Sequence, residues 1–248
     1  MYAVIGGSGL GQLPDFEVTR RQVLRTPYGE PSGALLIGTL AGREVVFLAR
    51  HGYGHTLAPH EINYRANLWA LAQLEIDGIL AVASVGGIQP QFGPGTLMVP
   101  DQIIDYTHGR AATFFEGDNQ AVQHIDFTWP YDSGLRTALV AAADAVGEPV
   151  VQGGCYACTQ GPRLETAAEI RRLARDGADI VGMTGMPEVA LARELDIPYA
   201  HLALVVNHAA GVGDSAREIS HAQISKTVQD GMVRVMAVLK SLVQLHED

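Results

Sequence analysis

The sequence predicts an α/β fold in which one twisted, largely parallel or mixed sheet is flanked by helices. Short apolar runs recur along the chain, and helix-period patterns separate several of them. No repeat, low-complexity tract or Pro/Gly/Ser linker divides the 248 residues. A single domain over residues 1–248 is therefore expected, long enough to bury a substantial core.

The first strand-like run, YAVI at 2–5, leads into the turn GGSGLG. ALLIGTL (34–40) and EVVFLAR (44–50) follow. PHEINYRANLWALAQLE (59–75) reads as a helix with an acidic first turn, with Ile62, Leu68, Trp69 and Leu71 on one side. Further strands are GILAVAS (78–84), GTLMVP (95–100), GGCYACT (153–159), ADIVGMT (178–184) and YAHLALVVN (199–207). ETAAEIRRLARDG (165–177) is a helix ending at a glycine, and MPEVALARELD (186–196) is one with Pro187 in its first turn. Residues 220–247 form the last and longest helix pattern. Residues 101–131 lack periodicity but carry Phe114, Phe115, His124, Phe127, Trp129 and Tyr131, a segment suited to covering by another subunit.

Composition excludes several function classes. A formal charge of −10 with scattered basic residues argues against a nucleic-acid surface. No apolar run approaches the ~20 residues of a membrane span. The start MYAVIGGSGLG has no basic region before its apolar run, so no signal peptide is expected and the cytoplasm is the expected location. Cys155 and Cys158 sit three apart on a predicted strand and point to opposite faces, as two packed thiols rather than a redox pair or half a zinc site.

The glycine-rich turn fails both familiar motifs. Gln12 and Ser8 stand where dinucleotide-binding spacing demands glycine, and Leu10 stands where a nucleophile elbow needs one. What remains is Ser8 on a tight turn, able to hold an anion with its hydroxyl and neighbouring amides. Arg50 and His51 follow another strand, and a guanidinium grips an oxyanion through two N–H groups. His51 and His55 are four apart, but the intervening glycines break any helix and no acidic third ligand is near, which disfavours a metal. Ser84 and Thr184 also fall at predicted strand ends, and together these groups describe a site for a free inorganic anion. Asn207 ends the strand HLALVVN, where it can donate and accept at the edge of a base or simply form a turn. Glu165 at a helix start is either a dipole partner or a group that only accepts.

Taken together, VIGGSGL, ARHG, NYRANLWAL, SVGGIQPQFGPG, DQIIDYT, GPRLETAAEI and GADIVGMTGMPEVALARE resemble the trimeric purine nucleoside phosphorylase and methylthioadenosine phosphorylase family over nearly the whole chain. The resemblance implies a purine-salvage pentosyltransferase in which phosphate attacks the anomeric carbon of a purine nucleoside. It implies no cofactor and no metal, phosphate being a co-substrate. It assigns phosphate to Ser8, Arg50, His51, Ser84 and Thr184, with backbone around Val85. Met183 is assigned beneath the sugar and Leu164 near the base. His124 would reach the 5′ end of the sugar from a neighbour in a homotrimer. Adenine-specific members have aspartates at the positions of Asn207 and Ala209 and a hydroxyl residue at Glu165, so the present trio implies a 6-oxopurine.

The chemistry of the side chains agrees. A 6-oxopurine offers N1–H and accepts at O6, whereas adenine N1 accepts. Glu165 accepts from N1–H, and Asn207 donates to O6 and accepts from protonated N7. The 5′ group is ambiguous: overall similarity favours S-methyl-5′-thioinosine, giving hypoxanthine and 5-methylthioribose 1-phosphate. His221, aligned where inosine and guanosine phosphorylases carry histidine, favours a 5′-hydroxyl. Methylthioadenosine as substrate, or a non-catalytic nucleoside-binding module, is the further alternative.

Overall fold

A computed structural model describes residues 1–117 and 121–245. In chain order the elements are β1 (Tyr2–Gly6), β2 (Glu17–Gln22), β3 (Leu35–Leu40), β4 (Arg43–Ala49), α1 (Tyr64–Ala72), β5 (Gly78–Gly87), β6 (Leu97–Val99) and β7 (Gln102–Asp105). Then come α2 (Ser133–Ala145), β8 (Val150–Gln152), β9 (Cys155–Cys158), α3 (Ala167–Arg175), β10 (Ile180–Gly182), α4 (Gly185–Glu194), β11 (Tyr199–His208) and α5 (His221–Leu245).

All these strands join one mixed sheet, in which β5 is central. β4, β1, β5 and β11 run parallel as neighbours, so their C-terminal ends lie along one edge. β10 pairs antiparallel with the last residues of β5, Ile180 opposite Gly87 and Val181 opposite Gly86. The residues after β10 are thereby carried back toward the middle of β5.

Period-two alternation divides the core between the two faces. Ala3, Ile5, Val46, Leu48, Ile79 and Ala81 pack with Leu68, Leu71, Val189 and Leu191 of α1 and α4. Val4, Val45, Phe47, Leu80 and Val82 pack with Leu135, Leu139, Val235 and Leu239 of α2 and α5. On α5, Gly231 permits close approach: a Cβ there would stand 2.5 Å from a Leu204 methyl of β11.

The helices start later than the sequence suggests where capping decides. α1 begins only after Asn63, whose side chain accepts from Ala66 N–H, and has no acidic first turn. Glu61 instead accepts from the Ala58 N–H in the preceding turn. α3 begins with a capping box, Thr166 with Glu169. The strands β2, β7 and β8 and the helix α2 were not expected. β2, EVTRRQ, is an exposed edge strand with no apolar face, and β7 and β8 are short. In α2 alanines dilute the periodicity, although Leu135, Leu139, Ala142 and Ala143 are buried. Cys155 and Cys158 lie in β9 as free thiols, and burial pushes them up to about 11 and about 12.

Candidate active site

The shared edge of β1, β4, β5 and β11 opens onto a cavity whose lining includes Ser8, Arg50, His51, Ser84, Val85 and Thr184. Leu164, Glu165, Met183, Asn207 and Ala209 line it as well. Ser84 lies within β5 rather than at its end, and Thr184 lines the same cavity because β10 runs antiparallel to β5. The Ser84 hydroxyl donates to the Ser8 carbonyl at 3.0 Å, tying two hydroxyl-bearing segments together. Thr184 is buried at the N-cap position of α4, yet its side chain makes no capping bond.

Arg50 is fully buried, and part of its hydrogen-bonding capacity is already committed within the protein. Its Nε and Nη2 donate to the two carboxylate oxygens of Glu188 at 2.7 and 2.8 Å. Nη1 donates to the Val82 carbonyl at 2.9 Å. Of five N–H groups, one on each terminal nitrogen is left for a ligand. Glu188 also accepts from the Tyr199 hydroxyl at 2.8 Å and is itself fully buried. Burial opposes the charge of Arg50, but Glu188 outweighs it through coulombic attraction and hydrogen bonds and raises the guanidinium's pKa. Gly7 makes room: a Cβ there would stand 2.8 Å from Arg50 Nη1.

His51 is buried and neutral. Burial first, then the nearby Arg50 and His55, lower its pKa to about 4 against the opposing bond to the Leu57 carbonyl. That bond, 2.9 Å from Nδ1, places the ring proton on Nδ1, because a carbonyl only accepts. Nε2 is left as an acceptor. The His55 ring lies 4.2 Å from that of His51, centroid to centroid. Among the described residues no cluster of three His, Cys, Asp or Glu could hold a metal ion.

The base end rests on a β-bulge. The register of β11 against β5 shifts between Val205 and Asn207, which re-aims the strand end at the cavity. Asn207 Nδ2 donates to the His208 carbonyl at 2.6 Å, keeping its other N–H and its oxygen for a ligand. Glu165 accepts from the Thr159 hydroxyl at 2.6 Å. The loop preceding it is clamped by Arg110, which donates to the carbonyls of Gln160, Met183 and Met186 at 2.9, 2.9 and 2.6 Å.

The remaining wall comes from Ile219, Ile224 and Val228 at and before the start of α5. His221 does not join it: the residue opens α5 with its side chain exposed. His221 stands three residues before Ile224 and seven before Val228, so it shares their stripe of the helix; it lies outside the wall because it is the exposed first residue of α5, a turn before Ile224. His124 is exposed and does not line this chain's cavity. Within its aromatic segment, residues 118–120 lie outside those described.

Sequence reasoning missed Glu188, Arg110 and the α5 wall. Glu188 had a signal, a carboxylate on the buried face of a helix shared with Val189, Leu191 and Ala192. Arg110 had none, because its acceptors are backbone carbonyls from remote segments.

The sequence pattern described as "Phosphorylase superfamily" matches residues 1–244. The chain belongs to that superfamily. The chain is 57% identical over 239 residues to a probable S-methyl-5′-thioinosine phosphorylase of Pseudomonas syringae pv. tomato, covering 96% of each chain. It is 43% identical to the 6-oxopurine nucleoside phosphorylase of Pyrococcus furiosus, covering 98% of this chain and 92% of that one. A methylthioadenosine phosphorylase from Schistosoma mansoni, solved in complex with adenine, superposes with a TM-score of 0.93 at 32% identity, over 98% of this chain and 91% of that one. This phosphorylase is thus an enzyme of the pentosyltransferase class with the single-domain fold of nucleoside phosphorylases. No helix among the described residues is long and apolar enough to cross a membrane.

Proposed function

We propose that this phosphorylase cleaves S-methyl-5′-thioinosine with inorganic phosphate, yielding hypoxanthine and 5-methylthioribose 1-phosphate in purine salvage. The observation that carries the choice of 5′ group is the apolar wall of Ile219, Ile224 and Val228, with His221 outside it. From this chain a methylthio group meets only apolar side chains there, and a 5′-hydroxyl finds no partner among them, a shortfall of about 1–3 kcal/mol that only the neighbour's histidine could make up.

In this reading Ser8, Ser84, Thr184, the Val85 backbone and the remaining Arg50 N–H groups hold monohydrogen phosphate, whose O–H donates to neutral His51 Nε2. Met183 lies under the sugar, and Leu164 and Ala209 pack beside the base. As the glycosidic C–N bond breaks, positive charge grows on the sugar and negative charge on the base. Glu165 accepts from N1–H, while Asn207 donates to O6 and accepts from N7–H as the base departs. A phosphate oxygen forms the new bond to the anomeric carbon, and the proton that phosphate gives up is balanced by the one gained by the base. Positioning and preorganised hydrogen bonds supply the acceleration, with no cofactor.

The same reading treats residues 1–248 as one unit, working in the cytoplasm as a homotrimer in which a neighbour's copy of His124 borders the sugar. Exposed Val122 and Trp129, 73% and 62% accessible in the isolated chain, support burial of that segment against a second copy. The second reading is a general 6-oxopurine nucleoside phosphorylase, favoured by the similarity to the Pyrococcus furiosus protein. Initial rates with methylthioinosine, inosine, guanosine and methylthioadenosine, with and without phosphate, separate them. Methylthioinosine should have the highest kcat/KM and no substrate should turn over without phosphate. Preference for inosine selects the second reading, and base release without phosphate refutes both.

A further inference from the structure

We infer that Thr159 is the positioning residue through which Glu165 reads the purine, and so a determinant of the preference for 6-oxopurines. The inference rests on the proposed contact between Glu165 and N1–H. Thr159 follows β9 directly, and its hydroxyl lies 2.6 Å from Glu165 Oε1 and 3.3 Å from the Gly182 carbonyl. A hydroxyl has one proton to give, and both neighbours are acceptors. The shorter, charge-assisted geometry assigns the proton to the carboxylate.

Glu165 needs such a partner because no other hydrogen bond among the described residues fixes its side chain. It precedes the N-cap Thr166, so its carboxylate takes no part in the capping box, which is closed by Glu169. It is only half-buried and stands between the cavity and a second hollow lined by Tyr106, Gln160, Arg163 and Arg172. Arg163, the nearest basic residue in sequence, is bound to Glu169 instead, at 2.8 and 2.7 Å. Without Thr159 the Glu165 side chain is free to swing toward that outer hollow and its arginines. With it, one oxygen is tethered and the other is left to accept from the base.

Thr159 itself stands on a rigid base. Its N–H donates to the Gly182 carbonyl at 2.8 Å, and its carbonyl accepts from Arg110 at 3.4 Å. The tether therefore links the base-reading carboxylate to β10, the strand that also delivers Met183 and Thr184.

The test compares Thr159→Val, which keeps the shape and removes the proton, with Thr159→Ser, which restores it, and with Glu165→Gln as a control on the base reading. Thr159→Val should lower kcat/KM for methylthioinosine roughly ten- to hundredfold, the range for a hydrogen bond to a charged group. It should leave the KM for phosphate unchanged and narrow the preference over methylthioadenosine, whose N1 has no proton for Glu165. Thr159→Ser should recover most of the loss. If Thr159→Val matches the wild type while Glu165→Gln collapses methylthioinosine turnover, the base reading stands and the role of Thr159 is refuted. If Glu165→Gln also leaves the base preference intact, both fall. A Thr159→Val enzyme that loses phosphate affinity in parallel and is not rescued by serine marks a merely structural role and likewise overturns the inference.

Discussion

Arg50 in the cavity wall is wholly buried with three N–H groups committed to Glu188 and Val82, whereas Ile219, Ile224 and Val228 line the same cavity with apolar side chains alone. The Arg50 wall is overdetermined. Tyr199, Glu188 and Arg50 form a hydrogen-bonded chain, and removing either Arg50 or Glu188 leaves the other's buried charge unpaired. The α5 wall has no such network, so its side chains can be exchanged at little structural cost. The wall around Arg50 is thus fixed by a buried charge network while the α5 wall is not; in the proposed function the first holds the anion and the second sets which sugar enters.

The sharpest way to break this contrast is at the ion pair. Glu188→Ala should destabilise the fold by about 3–5 kcal/mol, measured as a drop in the urea midpoint, because the Arg50 charge is left buried and uncompensated. Arg50→Ala should do the same and also raise the KM for phosphate steeply. The double variant Arg50→Met with Glu188→Leu should regain most of the stability but not the use of phosphate. A double variant that restores phosphate affinity would remove Arg50 from the anion site.

Acid should weaken the same region next. His51 is held at about 4 in the folded chain against 6.5 for its ordinary value, so between these the unfolded chain binds the extra proton. The associated stability is fully present above pH 6.5 and is lost as pH falls toward 4, by up to about 3 kcal/mol. His201, lowered by burial and by Arg50, acts in the same direction. Urea midpoints at pH 7 and pH 4.5 should differ accordingly, and His51→Gln should reduce the difference. An unchanged pH dependence in that variant would show that His51 is not the group concerned.

Smaller effects belong to the α5 wall. Ile224→Ser should shift the ratio of kcat/KM from methylthioinosine toward inosine by about tenfold, one hydrogen bond's worth, with the melting temperature little changed. His221→Met should leave that ratio unaltered. If instead His221→Met moves the ratio and Ile224→Ser does not, the α5 wall is not the 5′ pocket.

Much of the fold was legible because its central strands are strongly apolar and alternate, and because the long α5 pattern and the α3 cap are local signals. β2 was not, since an exposed edge strand with two arginines needs no apolar face. The polar groups Ser8, Arg50, His51, Ser84, Thr184, Glu165 and Asn207 were identifiable from residue type and their places at turns, a helix start and predicted strand ends, and the cavity brings them together, although Ser84 lies within β5.

Local chemistry in the sequence therefore determined the α/β fold, the set of candidate anion-binding groups and the acceptor character of Glu165. Tertiary structure alone decided that Arg50 is paired with Glu188, 138 residues away in sequence. Long-range pairing of this kind leaves no periodic trace in a chain. It likewise decided that Ile224 and Val228 line the cavity while His221, on the same stripe but at the exposed first position of α5, lies outside it, because where the helix meets the cavity is set by what α5 packs against, Leu204 against Gly231 among the contacts, and not by any one residue's type.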